Sequence, residues 1–183
     1  TTLFRSVNDA PTATNLSTAE TYTQDTPLNL VDIVVSDVDS ANVTATLTLS
    51  NPAAGSLNTA TSGAVTSTYN AATGVWTASG AIANVNALLA GLTLTPAANF
   101  NGSFSIATSV SDGVAPALTG SKAFTGIAVN DAPVATPVTL AAGNEDTAYT
   151  ITAATLLAGV TDIDGPTLSI TSVSVASGGG SIV

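Results

Sequence analysis

The sequence predicts an all-β fold of tandem β-sandwiches, and three observations predict it. One is a repeat: Val7-Asn8-Asp9-Ala10-Pro11 returns as Val129-Asn130-Asp131-Ala132-Pro133, an offset of 130 − 8 = 122 residues. Another is that about seven short strand candidates lie between the two copies, parted by turn signals roughly every 8–12 residues. The third is the run 43–49, where Val43, Ala45, Leu47 and Leu49 alternate with Thr44, Thr46 and Thr48. That is the period-two signature of a strand with one buried face. A period of 122 residues is too long for a solenoid repeat and fits one autonomous sandwich.

The elements follow in chain order. Each N-D-A-P word follows an apolar run, and its proline can continue neither a helix nor a central strand. Each therefore marks the exit from one domain and the way into the next. Residues 1–8 are expected to be the last strand of a preceding repeat, 9–130 a complete sandwich, and 131–183 the N-terminal part of another. From 12 to 30 the chain is polar and β-leaning, with Pro27 barring a central strand there. Residues 30–35 read as a strand ending at the turn Ser36-Asp37-Val38-Asp39-Ser40. After the strand 43–49, Asn51-Pro52-Ala53-Ala54-Gly55 turns the chain, and the runs 64–70 and 74–78 flank a hairpin loop with Gly74 late in it. Trp76, the sole tryptophan, is expected in the core or between the sheets. Ile82, Val85, Leu88 and Leu89 sit at helical spacing between Gly80 and Gly91 and predict one short helix crossing between sheets.

Residues 92–94, 103–110 and 121–129 are the remaining strands of the repeat, the first closed by Pro96 and the second ending at Ser111-Asp112-Gly113. Residues 134–183 restart the pattern with Glu145-Asp146, an apolar run through Leu156-Leu157, Thr161-Asp162-Ile163-Asp164-Gly165, and a strand over 168–175. Half a sandwich cannot bury a complete core. The second sandwich is therefore expected to be incomplete here, finished by further chain or by another molecule.

Composition removes several classes of function. The net charge is −10 and the only basic residues are Arg5 and Lys122. Nucleic acid is excluded as a partner, because its binding rests on Lys and Arg neutralising phosphates, and an anionic membrane surface is disfavoured for the same reason. No run approaches the ~18 apolar residues of a membrane helix, so no membrane insertion is expected. No signal peptide stands at residue 1, which reads as the inside of a strand, so the sequence is expected to be part of a longer or processed chain. There is no Cys, His or Met, so a Ser-His or thiol mechanism has no residues to use and the redox compartment is left open.

Most of the twelve acids fall at equivalent places in the two repeats. The hinges supply Asn8, Asp9 and Asn130, Asp131; the turns supply Asp37, Asp39 and Asp162, Asp164; Asp112 ends the strand before the last. Upstream lie Glu20, Asp25 and Glu145, and two registers are open. Spacing pairs Glu20 with Glu145 (37 − 20 = 17; 162 − 145 = 17), whereas Gln24-Asp25-Thr26 aligns on Glu145-Asp146-Thr147. If hinge, D-x-D turn and Asp112 lie at one pole, the oxygens of Asn8, Asp9, Asp37, Asp39 and Asp112 converge there. Taken singly, each Asp is a solvated turn former. As a repeated set in an acid-poor chain they point to Ca²⁺, which takes six to eight oxygen ligands at flexible geometry. Zinc and copper are poor matches without His or Cys.

N-D-A-P at a hinge, D-x-D after the second strand and a late S-D-G resemble the cadherin-like calcium-binding repeats. They are most similar to the tandem repeats of giant bacterial cell-surface adhesins secreted by type I systems (RTX-type). The stretch N-A-L-L-A-G-L-T-L-T-P-A-A-N-F-N-G followed by V-S-D-G, within 85–113, is similar to one recurrent there. The resemblance implies an immunoglobulin/cadherin-like β-sandwich, an extracellular or bacterial cell-surface location, and Ca²⁺ at inter-repeat hinges. It also implies that the internal hinge takes Glu20 or Asp25 with Asn130, Asp131, Asp162 and Asp164. The L-D-R-E motif of the vertebrate repeats is missing and the hinge has fewer acids, which fits one or two ions per junction rather than three.

Two functions follow and a third is disfavoured. The first is a structural or adhesive module of a large extracellular protein, its hinges stiffened by calcium and its partners the neighbouring repeats. The alternative is a filament subunit whose incomplete sandwich is completed by strands of an identical subunit. An enzyme such as a two-carboxylate glycosidase is not expected: hinges and turns account for the acids, and Trp76, Tyr22, Tyr69 and Tyr149 form no sugar platform.

Overall fold

The computed structural model describes residues 7–165 and 167–175. The chain divides into two compact units, Thr1–Val129 and Asn130–Val183. The strand expected over 1–8 lies almost wholly outside the described residues.

Unit 1 runs β1 (Thr12–Ala13), β2 (Glu20–Thr23), β3 (Leu28–Asn29), β4 (Val35–Ser36), β5 (Asn42–Leu49), β6 (Gly55–Leu57), β7 (Thr61–Ser62), β8 (Val65–Thr66), β9 (Thr68–Asn70), β10 (Val75–Ala81), α1 (Ile82–Ala90), β11 (Thr93–Pro96), β12 (Phe104–Ser111) and β13 (Leu118–Ile127). It is a β-sandwich. One sheet has six strands in the order β2-β13-β12-β5-β10-β9 and the other three in the order β3-β11-β6. The short pairs β1–β4 and β7–β8 complete it. Among the described residues β2 against β13 is the one parallel pairing, with Glu20 facing Phe124 and Thr23 facing Ile127.

Alternation puts the core where the pattern requires. Val43, Ala45, Leu47 and Leu49 of β5 are buried, and so are Trp76, Ala78, Phe104, Ile106 and Val110 from the strands beside it and Phe124 from β13. Leu57 and Leu94 cover them from the other sheet, and Val85, Leu88 and Leu89 close the core from α1, which carries the chain from β10 of one sheet to β11 of the other. Trp76 is fully buried and its Nε1–H donates to the Asn58 carbonyl at 3.0 Å, so its polar edge is satisfied. Tyr22, Phe104 and Phe124 form an aromatic cluster, Tyr22 edge-on to Phe104 at 5.8 Å between centroids and Phe104 stacked on Phe124 at 5.0 Å. Gly74, at φ +68, makes the turn between β9 and β10, a conformation open to Gly without a Cβ penalty.

Two strand expectations do not hold. Of residues 30–35 only Val35 is in a strand. Leu30, Ile33 and Val35 are buried while Val31 and Val34 face out, yet the backbone is paired piecemeal: Leu30 N–H to the Leu92 carbonyl (2.9 Å), Val31 N–H to Glu20 Oε2 (3.0 Å), and the Val34 carbonyl from Thr14 N–H (3.0 Å). The segment meets its partners one residue at a time, so no ladder forms. Residues 168–175 likewise carry no strand. The final strand of unit 1 is displaced, occupying Leu118–Ile127 rather than 121–129.

Unit 2 contains β14 (Val134–Ala135), α2 (Ala153–Leu157) and β15 (Val160–Thr161), and among its described residues none is buried. It repeats the opening of unit 1. Val134 pairs with Thr161 as Thr12 pairs with Ser36, and Thr136 N–H bonds the Gly159 carbonyl (2.8 Å) as Thr14 bonds Val34. The offset grows from 134 − 12 = 122 to 161 − 36 = 125 because α2 stands where unit 1 has the extended segment 30–34. Thr152 caps it, its hydroxyl accepting from Thr155 N–H.

Candidate functional site: the acidic pole

At one end of unit 1, where the chain reaches β1, the hinge and two turns are tied by carboxylates. Asp39 Oδ2 accepts the Asp9 backbone N–H at 2.9 Å. Asp112 Oδ2 accepts the Asn8 side-chain amide at 2.7 Å, and that amide also reaches the Asp9 carbonyl at 2.9 Å. Each turn is self-braced: Asp37 Oδ1 takes the N–H groups of Asp39 (3.1 Å) and Ser40 (2.8 Å), and Asp112 Oδ1 those of Val114 and Ala115 (both 2.9 Å). This is the local bonding that favours Asp in turns.

The second Asp37 oxygen is different. Asp37 Oδ2 is buried and has no hydrogen-bond partner. The Ser40 N–H above all, with help from Asp39, holds the Asp37 carboxyl below the usual aspartate range, against an opposing push from desolvation and the Asp112 charge. The Asn8 amide does the same for Asp112, aided by Val114 N–H. Both are therefore ionised at neutral pH and near enough for one to bear on the other. Lys122, the one cation among the described residues, is buried elsewhere.

An orphaned, charged, all-oxygen group suits a hard cation, so the donor chemistry of Asp37, Asp39, Asp112, Asp9 and Asn8 fits Ca²⁺. Among the described residues, however, no three acidic side chains are gathered closely enough to hold a metal ion. Backbone N–H groups occupy one oxygen of Asp37, Asp39 and Asp112, and the Asn8 amide a further one.

Unit 2 repeats the arrangement. Asp131 N–H meets Asp164 Oδ2 at 2.6 Å, Asp164 N–H meets Asp162 Oδ1 at 2.9 Å, and the Asn130 amide meets the Asp131 carbonyl at 2.8 Å.

The three remaining candidates take no part in the clasp of their own unit. Glu20 lies in β2, where its Oε1 is 2.8 Å from Lys122 Nζ and its Oε2 accepts Val31 N–H. Asp25 sits at the opposite end of the sandwich, at φ +56, bonding Asn99 N–H at 2.8 Å. Glu145 is its neighbour's counterpart in unit 2. Asp146 has φ +58, and the Thr147 hydroxyl reaches the Glu145 carbonyl at 3.3 Å, as the Thr26 hydroxyl reaches that of Gln24 at 3.3 Å. The register is thus Gln24-Asp25-Thr26 on Glu145-Asp146-Thr147, and Glu20 has no acidic counterpart.

Sequence reasoning missed Asn86. From α1 its side chain accepts Val35 N–H and donates to the Val35 carbonyl, both at 2.9 Å, holding β4 in place just before the D-x-D turn. Its signal was an amide among the core-facing residues of a short helix.

Residues 129–183 match the family model of a cadherin-like domain. The matched segment opens on the hinge whose earlier copy opens unit 1, which supports a cadherin-like repeat. No curated protein matches the sequence. Among solved structures, the tandem Ig repeats of Dlar are similar at 12% identity, covering 70% of this chain and 55% of that one with a TM-score of 0.34; the chain spans about half the length of that structure.

Proposed function

We propose that this chain is a repeat segment of a large extracellular protein, of the bacterial cell-surface adhesin kind, with a structural or adhesive rather than enzymatic role. Ca²⁺ held by the acidic pole fixes the incoming segment of each sandwich to its D-x-D turn. The observation that carries the reading is Asp37 Oδ2, a buried charged oxygen without a partner, beside a clasp that both units repeat. Apo, the Asp37 and Asp112 charges repel; a divalent cation reverses the sign of that interaction and shortens the hinge's range of motion. Extracellular modules bind calcium at about 10⁻⁴–10⁻³ M, so stiffness tracks the external ion.

The test is a calorimetric calcium titration paired with thermal melts in calcium and in chelator. Saturable binding in that range with a raised melting temperature is expected. Absence of both overturns the calcium reading. Self-association that survives chelation in the same samples would instead favour the filament.

A further inference from the structure

We propose that the buried Glu20–Lys122 pair is the mechanical clasp of unit 1, locking β2, the second strand the entering chain forms, to β13, the strand through which tension leaves. The inference deepens the repeat-module reading and rests on it only for the chain being under tension.

The topology sets the load path. The chain comes in at the acidic pole, where Asn8 touches Asp112 just beyond β12. It leaves at the other end, where Gln24 N–H bonds the Ile127 carbonyl and Val129 N–H meets Gln24 Oε1. Between these points β2 and β13 lie side by side and parallel. Pulling the ends apart slides one along the other, so their hydrogen bonds resist together rather than opening in turn.

The pair stands at the head of that patch. Lys122 is fully buried; its ammonium donates to the Asn15 carbonyl at 3.1 Å and the Val31 carbonyl at 3.4 Å and lies 2.8 Å from Glu20 Oε1 as an ion pair. Glu20 Oε2 takes the Val31 N–H. The two side chains thus bond both backbone groups of Val31, as a neighbouring strand would, and join β13, β2, the Asn15 loop and the segment 30–34 at one dry point. A buried ion pair is weak evidence for stability against a hydrophobic isostere. Its geometry here serves instead to bind four chain segments that slide apart under load.

Unit 2 supplies a contrast. The offsets of 121 and 122 place Ala141 or Ala142 at the position of Glu20, and there the counterpart of 30–34 coils into α2, which satisfies its own backbone. The extended segment goes with the ion pair.

The experiment is single-molecule pulling of the full chain in chelator, so that calcium plays no part, through a cysteine added at each end. The chain has none of its own to interfere. The variant is Glu20→Gln with Lys122→Met, since removing one partner alone leaves an uncompensated buried charge. End-to-end unfolding of unit 1 is expected at about twofold lower force, because the clasp must break before the transition state. Force applied through maleimide-coupled Asn42→Cys and Ala81→Cys, facing residues of β5 and β10, peels a pair outside the load path and is expected to be unchanged. An undiminished end-to-end force, or equal losses in both directions, overturns the proposal. Should the double variant not fold, the wild type decides: an end-to-end force no greater than the peeling force also overturns it. Failure of the calcium reading would leave these results untouched.

Discussion

Asp9 presents its backbone N–H to Asp39 Oδ2 at 2.9 Å, and Asp131 presents its own to Asp164 Oδ2 at 2.6 Å. The same carboxylate of the D-x-D turn thus captures the incoming chain in both units. Asp39→Ala is expected to cost about 1 kcal/mol in chelator, the net worth of one hydrogen bond, and to shrink the calcium-dependent rise in melting temperature. Asp164→Ala is expected to act on unit 2 and leave the unit 1 transition, followed by Trp76 fluorescence, in place.

Asp37→Asn separates charge from shape. The amide keeps Oδ1, which braces Asp39 and Ser40, and removes the charge that faces Asp112. In chelator the variant is expected to melt at or slightly below the wild-type temperature, since the N–H groups that favour the charge outweigh the like-charge contact with Asp112. In millimolar calcium it is expected to lose most of the ion's stabilisation. A variant that loses stability equally in both buffers would show that Asp37 serves only as a turn former.

The pH dependence has a definite sign. Asp37 and Asp112 are held below the ordinary aspartate value of 3.8 in the folded chain. A depressed folded value stabilises above the unfolded value and is lost as pH falls through the folded one. Calcium stabilisation is therefore expected to persist from neutrality down to about pH 4 and to collapse only in more acid buffer. Melts across that range in calcium and chelator measure it; a loss well above 3.8 would assign the effect to other groups.

Much of this was legible because it is local. The alternation from Val43 to Leu49, the Gly74 hairpin, the helical spacing of Val85, Leu88 and Leu89, and the paired hinge words all act over a few residues. What was not legible depends on partners far away in sequence. The segment 30–34 has the apolar pattern of a strand, but its partners are Glu20, Leu92, Thr14 and Lys122, and no single strand supplies them. The partner of Glu20 is equally remote: Lys122 lies 122 − 20 = 102 residues on. The choice between Glu20 and Gln24 as the counterpart of Glu145 turned on the backbone, through the left-handed Asp25 and Asp146. Asn86 was silent for the same reason: its partner is the Val35 backbone, which no side-chain pattern records.

Gly126 tests the close approach of β13 to the loop before β12. A Cβ there would collide with the Asn101 carbonyl oxygen, and would lie 2.6 Å from the Asn101 carbonyl carbon and 2.8 Å from Tyr22 Oη. Neither neighbour can yield cheaply. The first is backbone, and Tyr22 Oη is committed to the Gly102 carbonyl at 2.6 Å beside the aromatic cluster. Gly126→Ala is expected to destabilise unit 1 by about 1–3 kcal/mol, the usual cost of overpacking. Gly91→Ala is the control. Its added carbon would meet only the Ala87 carbonyl oxygen at an ordinary 3.8 Å, at a φ of −96° that any residue adopts, and it is expected to be neutral or stabilising by up to about 1 kcal/mol. Urea unfolding of the two variants side by side measures the difference; equal stabilities would mean that β13 and the Asn101 loop separate more readily than their spacing implies.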